Sequence, residues 1–150
     1  MEAASQCQNC TNDRCIRSVP LFASLEPVAV HALTAQMEHR SFQKGEILVR
    51  EGDLAKGFTV IREGSAKAYR TNADGREQIL YIFPANDYYG ARFLFTEERV
   101  PYTVEALEET HVCILSKAQF ASLLEKHSSV ALQIIEAMAN RMSRLETAMQ

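Results

Sequence analysis

The sequence predicts a mainly β domain, a sandwich or barrel-like sheet with flanking helices and a long C-terminal helix. Two observations carry this reading. From Ser41 to Leu115, short β-prone runs are separated by turn residues at regular intervals, the spacing of an antiparallel sheet rather than of alternating βαβ units. From Ala131 to Met149, apolar residues recur at intervals of 4, 3, 4, 3 and 4, which is a helical seam. At 150 residues and 47% hydrophobic content, the chain suits one domain with one sizeable core.

The chain begins with a polar arm, followed by Val19-Pro20-Leu21-Phe22 and then Ser24-Leu25-Glu26-Pro27. Pro27 suits the first position of a helix, where its missing N–H costs nothing. Val30, Leu33 and Met37 continue at helical spacing, which predicts a helix ending near Glu38 to Arg40. His31 and His39 are read as solvated or half-buried. The expected strands are Glu46–Arg50, Phe58–Arg62, Ala66–Thr71, Gln78–Pro84, Tyr102–Leu107 and His111–Leu115. Asp74-Gly75 is the clearest hairpin signal, because Gly supplies the positive φ of a tight turn. Ser116-Lys117-Ala118-Gln119 reads as a capping box opening a helix that buries Phe120, Leu123 and Leu124. His127-Ser128-Ser129 then interrupts it before the last helix.

Composition excludes several functions. The net charge of −3 leaves no overall electrostatic footprint for nucleic acid. The N-terminus lacks a basic and apolar leader pattern, and no run is long enough to cross a bilayer. The expectation is a cytoplasmic protein with no membrane partner. No Ser/His/Asp grouping, paired-carboxylate motif or phosphate loop rises above chance, so the protein is not expected to be an enzyme.

The cysteines carry the strongest chemical signal. Cys7, Cys10 and Cys15 are spaced C-x2-C-x4-C, and Cys113 lies far along the chain. Asn9, Asn12 and Asp13 favour turns that can aim several sulfurs at one centre. In a reducing compartment, such a cluster reads as metal ligands rather than disulfides. Four thiolates can hold a structural zinc or an iron–sulfur cluster. A lone strand cysteine is ordinarily a small buried hydrophobe. Three clustered thiols in need of a fourth make Cys113 the better candidate, and a shared centre would tie the arm to the body.

In the last helix the seam consists of Ala131, Ile135, Met138, Met142, Leu145 and Met149. An amphipathic stripe of this kind can pack on its own sheet. The charged neighbours Arg141, Arg144 and Glu146, together with the methionines, favour a parallel homodimer helix instead.

Several stretches resemble the sensory and dimerisation part of Crp/Fnr-type transcription regulators, specifically the Fnr branch. They are Pro20-Leu21-Phe22-Ala23-Ser24-Leu25, Gln43-Lys44-Gly45-Glu46, Glu51-Gly52-Asp53, Ile61-Arg62-Glu63-Gly64-Ser65 and Asp74-Gly75-Arg76-Glu77-Gln78-Ile79. The most specific is Pro101-Tyr102-Thr103-Val104-Glu105-Ala106-Leu107-Glu108 leading to Val112-Cys113. The resemblance implies a cyclic-nucleotide-binding-type β-roll (a double-stranded β-helix, or jelly roll) followed by a dimer helix. It also implies an oxygen-labile [4Fe-4S] cluster on Cys7, Cys10, Cys15 and Cys113. The second cysteine gap, four residues, is one shorter than in Fnr.

The implied organisation is a cluster-binding arm over 1–18, a sensory β-roll over 19–127 and a dimerisation helix over 128–150. The function expected is sensing of oxygen, redox state or nitric oxide, with the cluster controlling dimerisation. DNA contact would then come through a helix-turn-helix domain that this sequence does not contain, and RNA polymerase would be a further partner of the intact regulator.

The alternative is a Crp-like module for a cyclic nucleotide or another small ligand, its cysteines holding structural zinc. In Crp-type domains, a cassette resembling Gly-Glu-Leu-Ala and a later Arg hold the nucleotide phosphate. The corresponding residues here are Gly90, Ala91 and Arg92, then Pro101, Tyr102 and Thr103. Ala91 stands at the Glu position, and neither Pro101 nor Tyr102 is cationic. A phosphate there would lack a charge-assisted contact of about 1.5–3 kcal/mol. Arg92 is expected on a strand, facing away.

Overall fold

The computed structural model describes residues 22–23, 25–55 and 57–148. Cys7, Cys10, Cys15 and Met149 lie outside them. Helix α1 (Pro27–Gln36) is followed by strands β1 (Glu38–Phe42), β2 (Ile47–Val49), β3 (Gly57–Glu63), β4 (Ala66–Thr71) and β5 (Glu77–Phe83). After β6 (Tyr88–Tyr89) comes a 3-10 turn, Ala91–Leu94. Strands β7 (Thr103–Ala106) and β8 (Thr110–Ser116) and helices α2 (Lys117–Lys126) and α3 (Ser128–Ala148) complete the order.

The strands form two antiparallel four-stranded sheets, ordered β1-β8-β3-β6 and β2-β7-β4-β5. Period-two alternation on β8 separates two cores. Val112 packs inward with Ile61, Ala68, Phe83 and Val104 between the sheets. Leu115 points the other way, joining Phe58, Val60, Leu33, Phe120 and Ile134 beneath the helices. Each such fully buried side chain contributes about 1.5–3 kcal/mol from its removal from water.

Local chemistry explains the element ends. Pro27 opens α1. Ser116 Oγ accepts a bond from Gln119 N at 3.0 Å, and the Gln119 side chain accepts from Ser116 N at 3.2 Å, so the capping box forms in both directions. The β4–β5 hairpin closes on Asn72, whose Oδ1 accepts from the backbone N–H groups of Asp74 and Arg76. Gly75 there has φ +83°, the left-handed backbone that glycine adopts without penalty.

Two expectations from sequence are corrected here. The first helix stops at Gln36, with an extended Met37, and Glu38–Phe42 is a strand. The apolar stripe does run on to Met37, but β8 needs an edge partner, and its backbone bonds recruit these residues. His39, read as solvated or half-buried, is 9% exposed because it stands opposite Cys113 on that strand pair. His31 is exposed, as expected.

Candidate functional site

Three places named from sequence can be followed into the structure. The first is Cys113. It is fully buried on β8, on the face away from Val112 and Ile114 as the alternation predicts. Its Sγ lies 3.7 Å from the Nε2 of His39, an imidazole read from sequence as solvated or half-buried. Only the β1–β8 register, His39 opposite Cys113, joins residues so far apart in the chain. One turn of the pleat along the same face, Ser41 Oγ is 3.0 Å from His111 Nδ1. His111 Nε2 is 3.2 Å from the Glu109 carboxylate. Among the described residues, no group of three or more His, Cys, Asp or Glu side chains is placed to hold a metal ion.

The second place is the loop that corresponds to a phosphate cassette. Gly90 has φ +85°, and a Cβ on it would lie 2.6 Å from the Gly57 carbonyl oxygen, so glycine is needed twice over. That turn sends Ala91–Leu94 into the 3-10 helix. Arg92 thus sits on a helical turn and not on a strand, which corrects the expectation. Its guanidinium pairs with Glu98 at 3.3 Å and lies 5.1 Å from the centre of the Phe93 ring. Aromatic rings cluster around Phe83 on the adjoining strands. Phe83 packs on Tyr81 and Tyr89 at centroid distances of 4.8 and 5.2 Å. Tyr102 is half-buried against the same core. Burial pushes the phenols of Tyr89 and Tyr102 above their ordinary value.

The third place is α3. Val130 and Ile134 are buried against the outer core, where they fix the first turns of the helix to its own domain. Neither belongs to the seam read from sequence; they lie one position away from Ala131 and Ile135, and only the packing distinguishes the two stripes. Ala131 is half-buried, whereas Ile135, Met138, Met142 and Leu145 are 37–65% exposed. Between this stripe and the 3-10 turn runs an apolar groove of about 360 Å³, lined by Tyr88, Ala91, Arg92, Phe95, Met138 and Met142 among others. The cassette loop therefore faces the long helix. No helix among the described residues is long and apolar enough to cross a membrane.

The chain is thus a two-sheet antiparallel roll whose loop abuts a long, partly exposed helix. The chain belongs to the cyclic nucleotide-binding domain family, whose model matches residues 39–127. Crp/Fnr-type transcription regulators are among its relatives. It is 32% identical over 132 residues to a probable transcriptional regulator, flp, of Lacticaseibacillus casei, covering 88% of this chain and 60% of that protein. It is 24% identical to a CRP-like cAMP-activated global transcriptional regulator of Mycobacterium tuberculosis, covering 88% and 59%. The chain thus spans about 60% of the length of these curated relatives. Among solved structures, it is similar to the N-terminal domain of a transcriptional regulator from Streptomyces coelicolor. The TM-score is 0.84 at 30% identity, with 91% of this chain and 95% of the other covered.

Proposed function

We propose that this chain is the sensory and dimerisation part of an Fnr-like regulator, with Cys7, Cys10, Cys15 and Cys113 holding a [4Fe-4S] cluster. The observation that carries the reading is Cys113. It is a fully buried thiol with an imidazole at 3.7 Å, on the strand whose outward face touches the helices. A thiol kept only for packing would be surrounded by hydrocarbon. A polar, ligand-competent neighbour fits a thiolate better, and three thiols at ligand spacing supply the remaining donors.

When bound, the cluster would supply iron–thiolate bonds sensitive to oxygen, nitric oxide and redox poise. The protein's part is transmission. Cys113 would brace the arm to β8, two residues from Leu115, which packs with Phe120 and Ile134 in the outer core. A change in the brace thus reaches the docked turns of α3 and biases the exposed stripe that would pair with a second copy. Such coupling needs a difference in cluster affinity between the dimeric and monomeric states. In an intact regulator, the DNA-binding domains and RNA polymerase contacts would follow the dimer.

Protein purified without oxygen should be brown and contain iron and sulfide near four each per chain, as a [4Fe-4S] assignment demands. Stoichiometric zinc without sulfide would replace the cluster by a structural zinc. Colourless, metal-free protein under the same handling would sink both.

A further inference from the structure

We infer that the interior of the β-roll binds a small zwitterion, an α-amino acid with an apolar side chain, at a site separate from the cassette loop. A cavity of about 270 Å³ lies between the two sheets, near the lower end of ligand pockets, which start at about 300 Å³. None of Gly90, Ala91, Arg92, Pro101, Tyr102 or Thr103 lines it. Its wall is apolar, with Phe42, Leu48, Val49, Phe93, Val112 and Ile114 facing in. The polar groups deep in the wall are already engaged. Ser116 Oγ caps α2 by accepting from Gln119 N, and Thr59 bonds to the side chain of buried Tyr89.

The rim differs from the wall in charge. Glu38, Arg40 and Phe42 alternate along β1 and therefore share the face toward the cavity. The Arg40 guanidinium is held over the Phe42 ring, 5.7 Å from its centre. Neither Glu38 nor Arg40 has an ion pair or side-chain hydrogen bond among the described residues. Asp53, the other charged group lining the cavity, accepts a bond from Arg50 N at 3.2 Å.

Exposed charges on a strand are ordinary. Here a guanidinium and a carboxylate stand at the mouth of an apolar cavity without neutralising each other. A simple anion would match Arg40 but meet two carboxylates, and a simple cation would leave the guanidinium unmatched. A zwitterion satisfies both signs while its side chain fills the wall. A ligand with an uncharged polar body, such as a sugar, would leave hydroxyls without partners inside. The inference is independent of the cluster.

Calorimetry on the whole chain with leucine, methionine and phenylalanine tests it, using isocaproate and isoamylamine as the carboxylate-only and amine-only analogues of leucine. Leucine should bind with a submillimolar Kd, and each analogue at least about tenfold more weakly, since each lacks one charge-assisted contact. Arg40→Gln and Glu38→Gln, both at exposed positions, should each weaken leucine about tenfold or more. Val49→Trp should fill the cavity and abolish binding with the circular dichroism unchanged; if that variant does not fold, the two charge variants carry the test alone. The inference falls if none of the three amino acids binds below about ten millimolar, if isocaproate binds as well as leucine, or if both charge variants bind like the parent. Iron content is measured on the same samples. Leucine binding by metal-free protein upholds this site even if the cluster assignment fails.

Discussion

At the scale of single residues, the proposed chemistry rests on Cys113. Cys113→Ser should cost the domain about 1–3 kcal/mol for a buried hydroxyl yet leave it folded. Iron and sulfide should be lost from anaerobic protein, and a normal cluster in this variant would place the fourth ligand elsewhere. Tyr89 offers a separate test. Burial holds its phenol neutral by raising its pKa above the ordinary value, which is about 10. A pKa raised on folding stabilises the native state at pH values below the ordinary one, and that stability drains away as pH climbs beyond it. Alkaline titration should therefore show one phenolate appearing only together with loss of circular dichroism, and Tyr89→Phe should remove that step. At the cassette loop, Ala91, Pro101 and Tyr102 offer a phosphate no charge. Calorimetry with cAMP and cGMP should accordingly show nothing tighter than about millimolar; micromolar binding would favour the Crp-like alternative.

At the scale of elements, α3 carries two adjacent stripes, one docked on its own domain and one exposed. Ile134 is almost fully buried in its own domain, so Ile134→Ala should cost about 2–5 kcal/mol of stability and lower the melting temperature. Leu145 is 65% exposed, so Leu145→Glu should leave the monomer folded. In a symmetric helix pair it would instead bury like charges, at a cost of about 3–5 kcal/mol unless they escape to water. Sedimentation should then report a folded monomer where the parent is a dimer. A variant that sediments like its parent would show that the stripe is not the interface.

At the scale of the whole molecule, the proposed switch predicts linkage between the arm and the helix. The dimer dissociation constant should differ between cluster-loaded protein and protein stripped by brief air exposure. Reciprocally, Leu145→Glu should change the protein's equilibrium affinity for the cluster, read by competition with a chelator. Equal dissociation constants in the two states would leave the cluster without an output through α3.

The sequence by itself determined what depends on neighbours in the chain. Ala66–Thr71 emerges with the bounds read from its β-prone run. The Ser116–Gln119 capping box and the Gly75 turn also form as read, because their hydrogen bonds and backbone angles are local. The mainly β class followed from the spacing of such turns. Tertiary structure decided what depends on distant partners. Glu38–Phe42 became a strand because β8 offered it a ladder, and His39 was buried beside Cys113 because of that register. Tyr88–Tyr89 is too short to show a period, and exists as a strand only through its pairing with Thr59 and Val60. On α3, the seam and the docked stripe share one helical period. Which residues turned inward was settled by the outer core that receives Val130 and Ile134. Periodicity records that a face is apolar, and only the packed fold supplies the surface that covers it.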